Sequence, residues 1–393
     1  MKITFLLLEA FPVDGTVRST FTLADELSRR HDVELVTVRR TTDRPVLPLS
    51  DRVGLRSLVD VRPDAKVPWP HAARAERLTA EPSAIVHPEE RSYGKYSAWT
   101  DERLTRFLRR LRTDVLVTTR AGLNLMAARL APRGVVVVGQ EHLQLGINDS
   151  GILGEIEEWY PRLDALTCLT SADTADYEQR LPAGSCPVHT IGNGLPTRVY
   201  PRSRQENKVV VAAGRIVWIK GYDLLIDAFA RVVEKHPEWR LRIHGDGPRR
   251  EELRRKVTRL GLYNNVRMLE PTEDMEGELA KASVLAVSSR AESFGMTIIE
   301  GFACGLPAVA FDCPRGPREI ITDGVDGLLV PPEDAGAFAE TLIRLIDDAE
   351  LRNRMAANAV ASAERFDISV VAAKWERMLT SLSTAPRRDT GRR

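Results

Sequence analysis

Lys208-Val-Val-Val-Ala-Ala-Gly214-Arg215-Ile-Val-Trp-Ile-Lys220-Gly221-Tyr-Asp-Leu-Leu-Ile-Asp-Ala-Phe-Ala-Arg-Val-Val-Glu-Lys235 reads as strand, loop and helix in turn. The run 208 to 213 is short, apolar and β-branched, the length of a buried strand. From 221 to 235 apolar residues recur at helical spacing. The loop between them is bounded by Gly214 and Gly221 and carries Arg215 and Lys220, two cations at the entrance to a helix. Such a pair suits the neutralisation of a leaving diphosphate, and equally suits two solvated surface charges.

Outward from this unit the same alternation repeats. Strand-like segments fall at 2 to 8, 32 to 38, 114 to 118, 134 to 138, 187 to 191, 240 to 244, 284 to 287 and 307 to 311. Helical stretches fall between them, at 17 to 30, 101 to 112, 171 to 180, 249 to 260, 296 to 304 and 333 to 346. Strand–helix alternation on this scale predicts an α/β protein with two Rossmann-like, doubly wound parallel sheets. Residues 200 to 208 are polar and include Pro201, as a linker would be, and the alternation restarts after them. The expected domains are therefore 1–196 and 205–366, facing across a cleft, with a helix at about 367–383 returning to the first domain. Residues 384–393 read as a disordered basic tail. Residues 41–100, rich in proline, arginine and aromatics, are expected to be a long irregular insertion, either plain surface or a substrate-shaping element.

Bulk properties remove several function classes. The 393 residues carry a net charge of +1, so bulk attraction to nucleic acid is not expected. No apolar run approaches the roughly 20 residues that span a bilayer. Met1-Lys-Ile-Thr-Phe-Leu-Leu-Leu reads as a first strand and makes a poor signal peptide. The four cysteines, Cys168, Cys186, Cys304 and Cys313, form no CxxC pair, which fits a reduced, metal-free, cytoplasmic protein.

The densest chemistry lies in Glu292-Ser-Phe-Gly-Met-Thr-Ile-Ile-Glu300-Gly-Phe-Ala-Cys-Gly305. Ser293 is the expected N-cap of a helix over 296 to 304, leaving the N–H groups of Phe294, Gly295 and Met296 free for a phosphate. Gly295 lacks the Cβ that would hold the phosphate away. Glu300 lies roughly 6 to 8 Å further along the axis, within reach of a ribose diol, while Glu292 flanks the opposite side. A surface helix with two solvated carboxylates is the bland alternative. Gly15 after the first strand offers another close backbone approach, or a plain tight turn. Gly245 and Gly247 after the strand 240 to 244 are as consistent with a structural turn as with a base or phosphate contact. His142, at the end of a first-domain strand, is either a structural histidine or one turned to the cleft. No Asp-x-Asp occurs, so no catalytic metal is expected, and positive charge falls to Arg215 and Lys220.

These features together resemble the retaining glycosyltransferases of family 4, with the GT-B architecture. The resemblance rests on Glu292 and Glu300 as E-x7-E, on Arg215 and Lys220, on Asn193-Gly194, on Gly245-Asp-Gly247, and on Asp312-Cys-Pro-Arg-Gly-Pro-Arg-Glu319 with Asp323-Gly-Val-Asp-Gly327. It is specific over about 190 to 345 and architectural before that. By this resemblance Arg215 and Lys220 bind the diphosphate, Glu300 the ribose, and Ser293, Phe294, Gly295 and Met296 the phosphates through their backbone. Glu292 binds the donor sugar hydroxyls, His142 touches the sugar near its 6-position, and Gly214, Gly245 and Gly247 belong to the donor loops. Gly15 matches the first of a glycine pair, and Thr16 stands where the second is usual.

The resemblance implies transfer of a hexose or N-acetylhexosamine, with a UDP-sugar favoured over GDP-mannose, to an acceptor hydroxyl in polysaccharide, glycolipid or glycoside synthesis. It implies no cofactor and no essential metal, and leaves open a lipid-linked, polymeric or small-molecule acceptor. An NDP-sugar epimerase or phosphorylase of the same fold, or a silent nucleotide-sugar-binding subunit, are the alternatives. The arginine-rich stretch 101 to 112 suits either a solvated helix face or peripheral contact with the inner face of a membrane.

Overall fold

The computed structural model describes residues 1–11, 15–65 and 72–385, and they form two units. The first comprises Met1–Gly194 and the return segment from Ile368; the second is Leu195–Asp367.

Among the described residues seven strands build the first unit: β1 (Lys2–Leu7), β2 (Asp32–Arg40), β3 (Gly54–Asp60), β4 (Val115–Thr118), β5 (Val136–Gln140), β6 (Ala165–Cys168) and β7 (Val188–Thr190). They lie in the order β3-β2-β1-β4-β5-β6-β7, every pair parallel. Six strands build the second: β8 (Val209–Ala213), β9 (Arg240–His244), β10 (Val266–Leu269), β11 (Val284–Val287), β12 (Ala308–Phe311) and β13 (Gly327–Val330). Their order is β10-β9-β8-β11-β12-β13, again wholly parallel. Central strands such as β4 and β11 are buried at every residue, as strands covered by helices on both faces must be. In each sheet the strand order reverses beside the first strand, between β1 and β4 and between β8 and β11. Ligands of open α/β sheets bind at the carboxyl ends of strands at that reversal.

The insertion over 41–100 is not irregular. It contains β3, a helix at Ala72–Ala80 and a short turn at Tyr93–Lys95. β3 is an edge strand whose outward positions are polar, and Arg56 reaches Glu34 on β2 at 2.5 Å, so its apolar alternation is weak in the sequence. Trp69, one of the aromatics that marked this stretch, lies outside the described residues. The strands β6, β10 and β13 are four residues each and also escaped the reading of the sequence. Nor is 200 to 208 a free linker. Ser203 N–H donates to Cys304 O (2.8 Å) and its hydroxyl to Ala282 O (2.5 Å), which fixes the segment to the second unit.

The last helix, Ile368–Thr384, buries Val371, Ala372, Trp375, Met378 and Leu379 in a core that includes Ile3, Phe5, Val17 and Phe21 of the first unit. Residues 386–393, most of the expected tail, lie outside the described residues. Among the described residues no helix is long and apolar enough to cross a membrane. The arginine-rich helix runs over Ala98–Arg109, starts at a Ser97 capping box, and packs Leu104 and Leu108 inward. Arg103 lies over the Trp99 ring and Arg106 bonds Glu102, so two of its cations are engaged within the fold.

One polar cluster interrupts the first core. Glu141, just past β5 and 4% exposed, accepts from Asn124 Nδ2 (2.8 Å) and from the Tyr160 hydroxyl, while Thr118 Oγ1 donates to Asn124 Oδ1 (2.5 Å). Burial outweighs these bonds and pushes the Glu141 carboxyl up to about 7. The adjacent His142 is pushed down to about 3, by burial first and by the Arg120 charge second. The two act on stability in opposite pH windows. Glu141 binds its proton more tightly folded than unfolded, so its contribution is complete below about 4.5 and is lost as pH rises through about 7. His142 does the reverse: stability is lost as pH falls from about 6.5 towards 3.

Two outcomes are expected. Glu141→Gln keeps an acceptor for Asn124 and Tyr160 but has no proton to lose, so the loss of stability between pH 5 and pH 8 shrinks relative to the parent in urea denaturation. Trp375→Ala, at a site 1% exposed, lowers the stability of the first unit by about 3–5 kcal/mol, read as an earlier urea transition.

Candidate donor site

The second unit presents its site where β8 and β11 part. After β8 the chain enters the loop at Gly214, whose N–H donates to His244 O (3.0 Å), and Ile216 N–H donates to Asp246 O (2.8 Å). These bonds press the loop after β8 onto the loop after β9. A Cβ at Gly245 would stand 2.0 Å from Gly214 O, and one at Gly247 2.4 Å from Ile216 O. Both glycines therefore have a packing reason that holds without any ligand.

The loop continues through a tight turn at Trp218–Lys220 that closes at Gly221 in the left-handed conformation, φ +61°. A Cβ there would meet Ser288 O at 1.9 Å, so only glycine lets this loop lie on the one after β11. Ser288 Oγ donates to Lys220 O (2.9 Å), and Arg290 N–H donates to Ile219 O (2.8 Å). The Arg290 guanidinium bonds Trp218 O (2.7 Å), forks onto Asp223 (2.8 and 3.0 Å) and reaches Glu333 (2.9 Å). Its ion pairs hold the Asp223 carboxyl below its ordinary range against the opposing effect of burial, which is the largest single influence on that group.

This frame brings Lys220 and Glu292 together. Lys220 Nζ donates to Glu292 Oε1 at 2.5 Å, and Ser289 Oγ donates to the same oxygen at 2.6 Å. Both charged side chains are largely buried, 22% and 12% exposed, which is unusual enough to point to function. They line a recess of about 270 Å³, open to solvent, whose other walls include Ala213, Gly295 and Thr297.

Ser293 is not the N-cap. Gly295, at φ +107°, takes that place, and the helix is Met296–Ala303. Phe294 turns inward instead and packs edge-on against Phe366 with centroids 6.0 Å apart, which draws the chain past the serine before the helix begins. Among the described residues the N–H groups of Met296 and Thr297 have no hydrogen-bond acceptor, so the helix start still offers donors at the recess. Glu300 is 7% exposed, roughly 6 Å along the axis. Arg215 stands exposed on the same loop as Lys220, with no side-chain partner among the described residues.

The remaining expected residues lie in the first unit. His142 is 7% exposed, and among the described residues its buried Nε2 has no hydrogen-bond partner, an orphaned polar atom of the kind that a ligand satisfies. Gly15 opens the helix Gly15–Leu27, and a Cβ added to it would meet nothing within 4 Å among the described residues. Among the described residues no group of three or more His, Cys, Asp or Glu side chains is placed to hold a metal ion.

Reading the sequence missed Ser288, Ser289, Arg290 and Gly316. A Cβ at Gly316, φ +39°, would stand 2.4 Å from Phe294 O and 2.9 Å from Glu292 Cβ. The motif at 312 to 319 thus braces the glutamate loop from behind. The signal was present in Gly316, inside a quoted motif, but its partner was not legible.

Comparison with known proteins gives the family. The family model described as Glycosyl transferases group 1 matches residues 198–361, and that of Glycosyltransferase Family 4 matches residues 13–199. An exopolysaccharide phosphotransferase of Streptomyces coelicolor is 37% identical over 406 aligned residues; the match takes in 100% of this chain but 42% of that protein, so the chain spans less than half of this relative. The D-inositol 3-phosphate glycosyltransferase of Corynebacterium efficiens is 33% identical over 232 residues, 54% of each chain. Among solved structures, S. aureus TarM superposes with a TM-score of 0.77 at 16% identity, covering 98% of this chain and 100% of that one. Anabaena HepE, solved in complex with UDP, gives 0.73 at 21% identity over 97% and 100%. With two adjoining family models spanning nearly its whole length, the chain belongs to the group 1, family 4 glycosyltransferases and has their GT-B fold.

Proposed function

We propose that this chain transfers a hexose or N-acetylhexosamine from a UDP-sugar to an acceptor hydroxyl, with retention at the anomeric carbon and without a catalytic metal. The observation that carries the reading is the Lys220–Glu292 pair, held at 2.5 Å beside free helix N–H groups at the strand-order reversal of the second unit. Such a pair is a donor site balanced against itself. A bound UDP-sugar gives each partner a better one: the diphosphate takes Lys220, and the sugar hydroxyls take Glu292. Arg215 adds a second cation to the diphosphate, the Met296 and Thr297 N–H groups bind its oxygens, and Glu300 receives the ribose hydroxyls.

In the transfer step the bond from the anomeric carbon to the β-phosphate oxygen breaks as the acceptor oxygen bonds the same face. The acceptor proton passes to the departing phosphate oxygen. Lys220 and Arg215 stabilise the charge that grows on that phosphate. His142, neutral at physiological pH because its pKa is pushed down to about 3, is suited to hydrogen-bond a sugar hydroxyl and not to serve as a base. Support for UDP comes from HepE and from TarM, whose structures hold UDP. The phosphotransferase name of the Streptomyces coelicolor relative belongs to a protein of which this chain spans 42%, and the site described here has the parts for glycosyl transfer.

Lys220→Ala should lower kcat by roughly 10²–10³, the usual cost of removing one group that stabilises transition-state charge. Turnover is expected to persist in EDTA; abolition by EDTA with rescue by magnesium would overturn the metal-free reading. Glu300→Ala should weaken UDP binding by about 1.5–3 kcal/mol in calorimetry, the worth of hydrogen bonds to a charged group. An unchanged affinity would remove Glu300 from the ribose.

A further inference from the structure

One polar group at the recess of the second unit has no part in the chemistry above. Tyr222 opens the helix Tyr222–Lys235, directly after the left-handed Gly221 that seats the lysine turn on the loop after β11. Its ring belongs to the core with Leu225, Ile226 and Ala286, and the residue is 4% exposed. Tyr222 also lines the recess that holds Lys220 and Glu292. A Cβ added to Gly214 would stand 3.0 Å from the Tyr222 hydroxyl and 3.4 Å from Lys220 Cε, so hydroxyl and lysine stem lie side by side at this glycine.

Among the described residues that hydroxyl has no hydrogen-bond partner. A buried O–H with nothing to donate to costs stability, and phenylalanine would fill the same space without the cost. Tyr96 and Tyr177 have orphaned hydroxyls too, so the missing partner alone decides nothing; of the three, Tyr222 lines the recess. Burial first, and the Glu292 charge second, push its pKa well up, so the group stays protonated and donates. A fixed O–H beside a lysine, in a recess whose other walls include Gly295 and Thr297 at the helix start, is complementary to an oxyanion.

We propose that the Tyr222 hydroxyl donates a hydrogen bond to the β-phosphate of the bound nucleotide, next to Lys220, and so selects a nucleoside diphosphate over the monophosphate. The inference deepens the donor reading and rests on it. When the bond from the anomeric carbon to the β-phosphate oxygen breaks, the electron pair stays on that oxygen. The tyrosine shares the growing charge through its hydrogen bond and keeps its own proton.

The test titrates the full chain and its Tyr222→Phe variant with UDP and with UMP by calorimetry, and unfolds both in urea without nucleotide. The variant should bind UDP about tenfold more weakly, bind UMP within about twofold of the parent, and turn over roughly tenfold more slowly. Without nucleotide it should be at least as stable as the parent, having lost only an orphaned hydroxyl. Unchanged UDP affinity, or an equal loss for UDP and UMP, would overturn the proposal. So would a free variant less stable than the parent, since the hydroxyl would then already serve the fold. A parent that binds no UDP removes the donor reading and this inference together; UDP binding that Lys220→Ala weakens and Tyr222→Phe leaves intact removes this inference alone.

Discussion

The second unit depends on backbone lying against backbone. Three loops, after β8, β9 and β11, approach so closely that a methyl group at Gly221, Gly245 or Gly247 would stand within 2.4 Å of a carbonyl oxygen. This contact converts separate strand ends into one surface. Lys220 and Glu292, 72 residues apart in the chain, meet only because the turn carrying the lysine is seated on Ser288. Arg290 then pins the seat, with a guanidinium shared among a carbonyl and two carboxylates. The charged pair is thus held by a frame of backbone contacts and a largely buried guanidinium, which is how a site keeps its geometry between turnovers.

Much of this architecture can be read directly from residues 208 to 235. The β-branched run, the bounded loop and the amphipathic helix imply a parallel α/β unit, and its repetition implies a second sheet. What escapes is what lacks a periodic signal. β6 and β10 are interrupted by Thr167 and Arg267, and β13 starts at Gly327 and runs into Pro331, where β4, β11 and β12, equally short, keep an unbroken apolar run; β3 faces water with charges that hide its inward residues. The insertion therefore looked shapeless although it forms a sheet edge and a helix.

The candidate site divides in the same way. Arg215, Lys220, Glu292 and Glu300 stand out because charge beside glycine at a strand end is chemically loud. Ser289 and Arg290 do not, since their importance lies in which carbonyl or carboxylate they touch across the fold. The misplaced cap is instructive: Ser293 has the right chemistry, but Phe294 has a hydrophobic partner in Phe366, 72 residues on, and burial of that ring sets where the helix can begin. Long-range packing outweighed a local preference worth about 1 kcal/mol.

The return of the final helix to the first core has a consequence for the order in which the molecule is made. The second unit is one continuous stretch, Leu195–Asp367, and all its strands have emerged before residue 368 is synthesised. The first unit begins earlier yet finishes later, since Trp375 and Leu379 belong to a core founded by Ile3 and Phe5. During synthesis the apolar face over β1 and the Gly15–Leu27 helix therefore waits, uncovered, while the whole second unit is completed. The nascent chain has an exposed seam whose closing strip arrives after the second unit.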